Sequence, residues 1–407
     1  QQGHEMVDPE AVTTGGFEHH HALVAQRELG VLDALLGLVE VAIQRREHAR
    51  DDQVDGFFLD PSGKGAPQAR DRGCRDATTV TLRKRTLALN ALRAKLTGHS
   101  AHAGAFWWPE AQRRLDGVIA RVRPDVLHVH RLRMMPYANH TGLRYVFDAT
   151  DCLSAYYRHA LAANLGGWRK VYAALDAGAV EREERRAVRG AVVSFVTTPL
   201  EQSRLQRVAG GGRISVVPNG LNTKVWTSRA RRGGGPLVFL GNLGYPPNEA
   251  GLRWFLEHVG PRLERGVRLE VIGGGASAGL RRIAARSPLA VAFKGFVRDV
   301  RPFLWRAQVL VCPLPWASGI QNKALQAMAC GAPIVATSNI GRALGARPGR
   351  HFLAGDVPGV FAAQVMRLAS DRALAARLCR AARRLVTARH SDRATRLAMN
   401  QALKPLV

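Results

Sequence analysis

The chain has 407 residues, 46% of them hydrophobic, and a formal charge of +27. That length carries a sizeable core and two or three domains, and no uninterrupted apolar run is long enough to span a bilayer. The five cysteines, Cys74, Cys152, Cys312, Cys330 and Cys379, are scattered without a CxxC pair. This pattern argues against a disulfide framework or a cysteine zinc site and fits a reducing, cytoplasmic setting.

The charge itself admits three readings: a solvated basic surface, adhesion to an anionic membrane surface, or nucleic-acid binding. The basic residues are spread along the chain rather than clustered, so no nucleic-acid partner is expected. The first twenty residues hold no apolar core segment, and no secretory leader is expected among them. TTGGFEHHHALVAQREL (13–29) reads as a glycine turn and a helix, with His19, His20 and His21 on its solvated face. No convincing apolar strand precedes it, and the first 75 or so residues are atypical of the rest of the chain.

From about Val118 onward, short apolar runs alternate with longer helical segments. DVLHVH (125–130), RYVFDAT (144–150), AVVSFVTT (191–198) and ISVVPNG (214–220) read as strands, and Tyr172 to Arg189 is the clearest helix. Such alternation implies a mainly parallel sheet covered on both faces. RARRGGGP (229–236) breaks the pattern as a linker would. A second series then begins: PLVFLGNLG, RLEVIGGGA, VAFKGFV, QVLVCPL and APIVAT. The expected fold class is α/β, two doubly wound Rossmann-like units over 1–228 and 237–390, with a final helical segment at 391–407.

Three glycine-bearing strand ends stand in the second unit: GNLGYPPN (241–248), IGGGA (272–276) and KGFV (294–297). Glycine there lets backbone approach a ligand at the carboxyl edge of a sheet. After the strand AQVLVCPL, Gly319 allows a close turn, and a helix starting near Gln321 aims its N–H groups and positive dipole end at that edge. Lys323 adds a full charge, while Asn322 and Gln326 share one face and Ala324, Leu325 and Met328 face the core. The arrangement reads as an anion site, with a diphosphate as the obvious anion. A plain amphipathic helix with its polar residues in water is the other reading.

The order GNLGYPPN, VIGGGA, KGFVRDVRPFLWRAQVLVCPL, GIQNKALQAMACGAPIVAT resembles the C-terminal half of a GT-B glycosyltransferase of the family 4 type. It is most similar to the branch found with exopolysaccharide gene clusters. VVPNGLNTKVW resembles the segment leading into that half, and RPDVLHVHRLRM with FDATDCLSAYYR resembles the branch's acceptor half. The resemblance covers residues 80 to 400 and is most specific from Val216 to Thr337.

The resemblance implies a GT-B fold of two Rossmann-like domains facing a cleft, with the last helix returning to the first domain. It implies sugar transfer, with retention and without an essential metal or other cofactor, from a nucleotide-sugar to a glycan or polyprenyl-linked acceptor. The basic charge would then serve peripheral contact with the anionic inner face of the cell membrane, where such acceptors sit. By carry-over, Gly241, Asn242 and Gly273 line the diphosphate, and Gly295, Phe296 and Val297 border the base. Gly319, Ile320, Gln321, Asn322 and Lys323 hold phosphates and donor sugar, and Gln326 lies near the ribose. The wider family carries two glutamates eight residues apart where this chain has Ser318 and Gln326. A neutral amide binds ribose hydroxyls less strongly than a carboxylate. Binding of a nucleotide-sugar without turnover is therefore the alternative to catalysis.

In the acceptor half, Asp148 and Asp151 are candidates, with Ser318, for the catalytic set: they would orient the acceptor or take its proton. The competing reading makes Asp151 a helix N-cap and Asp148 a buried polar contact. His128 and His130 share a strand face but lack a third ligand, and no metal is expected there.

Overall fold

The computed structural model describes residues 39–44, 54–60, 74–82, 84–162, 168–229, 233–314 and 319–404. The protein is an α/β fold built on two sheets. The first has seven strands in the order β3-β2-β1-β4-β5-β6-β7. They are β1 (Val39–Gln44), β2 (Val54–Asp60), β3 (Cys74–Thr81), β4 (Val126–His130), β5 (Tyr145–Thr150), β6 (Val193–Val196) and β7 (Ile214–Val216). All neighbours pair in parallel except β1, which runs antiparallel to both β2 and β4.

The strands β1 to β3 fall where no strand was expected from sequence. Their segments VEVAIQ, VDGFFLD and CRDATTVT are interrupted by charges, a glycine or a run of threonines. Among the residues of these strands whose burial is described, Phe57, Leu59 and Val80 join the core. The glycine turn and histidine run at 13–29 lie outside the described residues.

The second sheet is parallel throughout, in the order β10-β9-β8-β11-β12-β13. Its strands are β8 (Leu237–Leu240), β9 (Arg268–Ile272), β10 (Ala290–Gly295), β11 (Val309–Cys312), β12 (Ile334–Ala336) and β13 (Leu353–Ala354). Every residue of β8, β11 and β12 is buried, because helices cover both faces of the central strands. The chain builds outward from β8 through β9 to β10, then jumps to β11 on the other side of β8. That reversal opens a crevice at the carboxyl ends of β8 and β11, where doubly wound sheets take their ligands.

Eight helices matter below: α1 (Leu153–Ala162), α2 (Trp168–Gly190), α3 (Pro199–Ala209), α4 (Pro246–Trp254), α5 (Asn322–Cys330), α6 (Ser338–Leu344), α7 (Arg372–Arg389) and α8 (Asp392–Leu403). Met399 and Ala402 of α8 bury themselves against Val146, Val193 and Phe195 of the first sheet. The chain thus crosses between the sheets twice. The two crossings run side by side, Leu221 N–H donating to His390 O at 2.8 Å and Asp392 N–H to Leu221 O at 3.2 Å. Among the described residues no helix is long and apolar enough to cross a membrane.

Candidate functional site

The carboxyl edge of the second sheet is stitched by its glycines. Gly241 N–H donates to Ile272 O at 2.9 Å, Leu243 N–H to Gly274 O at 2.8 Å, and Gly273 N–H to Gly295 O at 2.8 Å. Gly273 sits at φ 133, and a β-carbon there would lie 2.0 Å from the Gly241 carbonyl oxygen. No side chain fits, so the turns after β8 and β9 lie in backbone contact. Gly295 faces open space, and the ring of Phe296 beyond it is 78% exposed, while Val297 packs on the core.

Helix α5 brings a cation to this edge. Gln321 takes extended angles at its N-cap, and Gly331 ends it in a left-handed cap. Ala324 N–H of its first turn donates to Gln321 O at 3.0 Å, while the N–H groups before it have no acceptor within the helix, as at any helix start. Lys323 is 8% exposed, and its ammonium donates to Asn248 Oδ1. Asn248, on α4, is fully buried and donates in turn to Asn242 O at 2.8 Å. No described carboxylate pairs with Lys323. A buried cation held only by an amide is costly unless an anion joins it. Gln326, one turn on, is 6% exposed, and its side-chain amide makes no hydrogen bond to a described residue. Ile320 is buried in the core, and Ser318 lies outside the described residues.

Opposite this edge stand the ends of β4 and β5. His130 Nδ1 lies 3.1 Å from Asp148 Oδ2, and Arg131 Nε donates to His130 Nε2 at 3.3 Å. Arg131 can only donate, so Nε2 accepts and Nδ1–H donates to Asp148. Both nitrogens of His130 are thus engaged. His128 Nε2 lies 3.8 Å from the same carboxylate oxygen. Among the described residues, no group of three or more His, Cys, Asp or Glu could hold a metal ion. Arg131 (φ 69) and Thr150 (φ 64) both have positive φ, which is costly for residues with a β-carbon, above all β-branched threonine. These two strained residues flank Asp148 and Asp151 and set the direction in which Asp151 leaves the sheet.

Asp151 does not cap α1. The N–H groups at that helix start are taken by two other acids: Glu201 accepts from Cys152 N–H at 2.8 Å, and Glu184 from Leu153 at 2.5 Å and Ser154 at 3.0 Å. Asp151 instead accepts from Thr197 Oγ1 at 3.2 Å and meets the second half of the chain at Gly319. Gly319 has φ 61, and a β-carbon on it would come 2.1 Å from Asp151 Oδ1. A second link joins the halves nearby, where Asn219 Nδ2 donates to Asn322 Oδ1 at 3.0 Å.

Burial, and after it the neighbouring Glu201 carboxylate, push Asp151 up to about 7, while Arg131 and the Thr197 hydroxyl pull the other way. At neutral pH this acid is poised to give or take a proton. The folded state holds that proton more tightly than the unfolded chain does. The stability it confers is therefore complete below about pH 4 and lost as pH climbs through 7. Asp151→Asn abolishes the loss. The melting temperature of the variant minus that of the parent should rise between pH 4 and pH 8. A difference that does not change with pH would show that Asp151 titrates normally.

Several residues that build this region were not singled out in the sequence. Asn248 closes the GNLGYPPN motif, so its position was visible but its hold on Lys323 was not. Glu184 sits in EREERR, a string that reads as solvated helix charge. Thr197 and Asn219 gave no signal beyond standing at strand ends.

Residues 235–371 match the family model described as glycosyl transferases group 1. No curated protein sequence matches the chain. Among solved structures, sucrose-phosphate synthase from Thermosynechococcus elongatus superposes with a TM-score of 0.62 at 18% identity, covering 82% of this chain and 84% of that one. HepE of Anabaena, in complex with UDP and glucose, gives 0.59 at 14% identity over 86% and 98% of the two chains. A glycosyltransferase from Rickettsia africae gives 0.59 at 10% identity over 86% and 90%. The fold is that of GT-B glycosyltransferases.

Proposed function

We propose that the protein is a glycosyltransferase that moves a sugar from a nucleotide-sugar to a glycan or lipid-linked acceptor in cell-surface polysaccharide synthesis. The observation that carries this reading is Lys323: a buried cation, unpaired with any described carboxylate, at a glycine-built sheet edge that faces the poised acid Asp151. The match of residues 235–371 to a glycosyltransferase family supports it.

In this mechanism the bond between the sugar and the diphosphate breaks, and negative charge grows on the phosphate oxygens. Lys323 and the first-turn N–H groups of α5 stabilise that charge. The exposed ring of Phe296 stacks on the base beside Gly295, and the Gln326 amide reaches the ribose. The acceptor hydroxyl enters from the side of the first sheet, bonds to the sugar carbon and gives its proton to ionised Asp151. The Asp148–His130 pair fixes the end of β4 and takes no proton itself, because both imidazole nitrogens are engaged. The new bond forms on the face the diphosphate leaves, so configuration is retained. The positive charge needed comes from the protein, so no metal takes part.

The HepE complex holds UDP and glucose, which makes UDP-glucose the first donor to try. A donor at 100 times its dissociation constant should stabilise the protein by about 2.7 kcal/mol. UDP should be released on adding a glycan acceptor, undiminished by EDTA, and the product should keep the donor's anomeric configuration. If no nucleotide-sugar shifts the melting temperature, the proposal fails. Gln326 standing where the family has glutamate favours a second reading, donor binding without transfer. A thermal shift with no UDP released would select it.

A further inference from the structure

A pocket of about 400 Å³ lies on the second half of the chain, away from the cleft, between α7 and the turn that follows α6. None of its lining residues belongs to the site described above. Half of its eight lining residues are arginines, against 59 Lys and Arg in 407 residues overall, so basic composition alone does not account for it. Arg347 and Arg350 come from the turn, and Arg384 and Arg389 from α7. All four are exposed, and none pairs with a described carboxylate. Arginines without a described carboxylate partner are common on this basic surface, where Arg113 and Arg114 (to Glu110), Arg253 (to Glu249) and Arg301 (to Asp299) are among the minority that are paired; what sets these four apart is that they line one cavity.

The turn is built before any ligand arrives. Ala346 N–H donates to Gly341 O at 2.8 Å, Gly349 N–H to Phe352 O at 2.8 Å, and His351 N–H to Arg347 O at 3.0 Å. The floor is His351, 9% exposed, whose Nδ1 accepts from Arg347 N–H at 2.8 Å. With Nδ1 used as an acceptor, the proton of the neutral ring sits on Nε2. Burial, then Arg350, Arg347 and Arg389, hold its pKa below the ordinary value, so the ring stays a neutral donor at physiological pH. Four guanidiniums around a cavity without a carboxylate repel one another until an oxyanion enters, and their planar forks suit tetrahedral oxyanions.

We propose that this pocket binds a phosphomonoester-type anion, either free in solution or as a lipid headgroup. The inference does not depend on the glycosyltransferase reading. The test uses the full chain at physiological salt, with inorganic phosphate by calorimetry. Phosphatidylcholine vesicles with and without phosphatidic acid are tested by sedimentation. Arg350→Gln and Arg384→Gln should each weaken binding about tenfold, a loss typical of one charge-assisted hydrogen bond, and the double variant should abolish it. Both side chains are exposed, so the variants should melt with the parent. Phosphate that saturates the parent and shifts the His351 ring proton signal supports a soluble ligand. Binding only to phosphatidic acid vesicles, lost in the double variant, supports a headgroup. Binding equal in parent and double variant, or absent with both probes, overturns the proposal.

Discussion

Alanine at Gly273 is expected to destabilise the protein by about 3–5 kcal/mol, at the upper end of single substitutions. Two costs combine. At φ 133 an L-residue is strained, and the new β-carbon would stand 2.0 Å from the Gly241 carbonyl oxygen. That oxygen is backbone and cannot rotate away. It moves only if β8 and β9 part at their carboxyl ends, breaking the Gly241–Ile272 and Leu243–Gly274 hydrogen bonds. Gly274→Ala is the control one residue on, where an added β-carbon meets nothing within 4 Å. It should leave the unfolding midpoint in denaturant nearly unchanged. Equal stability of the two variants would show that the close approach at Gly273 does not exist. A Gly273 variant that folds but loses nucleotide affinity would place the contact at the ligand edge.

The second sheet is plain in the sequence for a physical reason. Its central strands LVFL, VLVC and IVA are buried on both faces, so they appear as unbroken apolar runs between glycines and helices. The strands β1 to β3 carry Glu40, Asp55, Asp60, Arg75 and Asp76, so no unbroken apolar run marks them in a window of residues. The helix start at this sheet edge was legible through Gly319 and Lys323, because helix starts, glycine turns and cations have local signatures. What could not be read were contacts between distant segments. Whether Asp151 caps a helix or faces a cleft depends on Glu184 and Glu201 occupying the α1 N-terminus first. Nothing within FDATDCLS carries that information. The same holds for Lys323, whose burial follows from Asn248 on another helix.

Lys323→Met is expected to act with opposite signs on binding and on folding. In the free protein the ammonium is 8% exposed and bonded only to an amide oxygen among the described residues. Desolvating a charge costs several kcal/mol, and a buried charge without an opposite partner recovers little of it. Methionine matches the stem in length, keeps the packing above Phe239 and removes the charge. It also removes the ammonium donor from Asn248 Oδ1, at a cost of about 1–3 kcal/mol. The two effects offset one another, and the melting temperature of the free protein should stay level or rise. With a nucleoside diphosphate bound, the balance reverses. The ammonium then answers the phosphate charge, and a hydrogen bond to a charged group contributes about 1.5–3 kcal/mol. Affinity for UDP should therefore fall by roughly ten- to a hundredfold. Lys323→Arg should not rescue it, since a planar fork cannot follow the route of a slim ammonium past Asn248. Calorimetry of UDP binding and thermal melts of the free proteins separate the outcomes. A variant that melts well below the parent yet binds UDP as tightly would make Lys323 a structural cation. The anion would then have to sit elsewhere along the sheet edge.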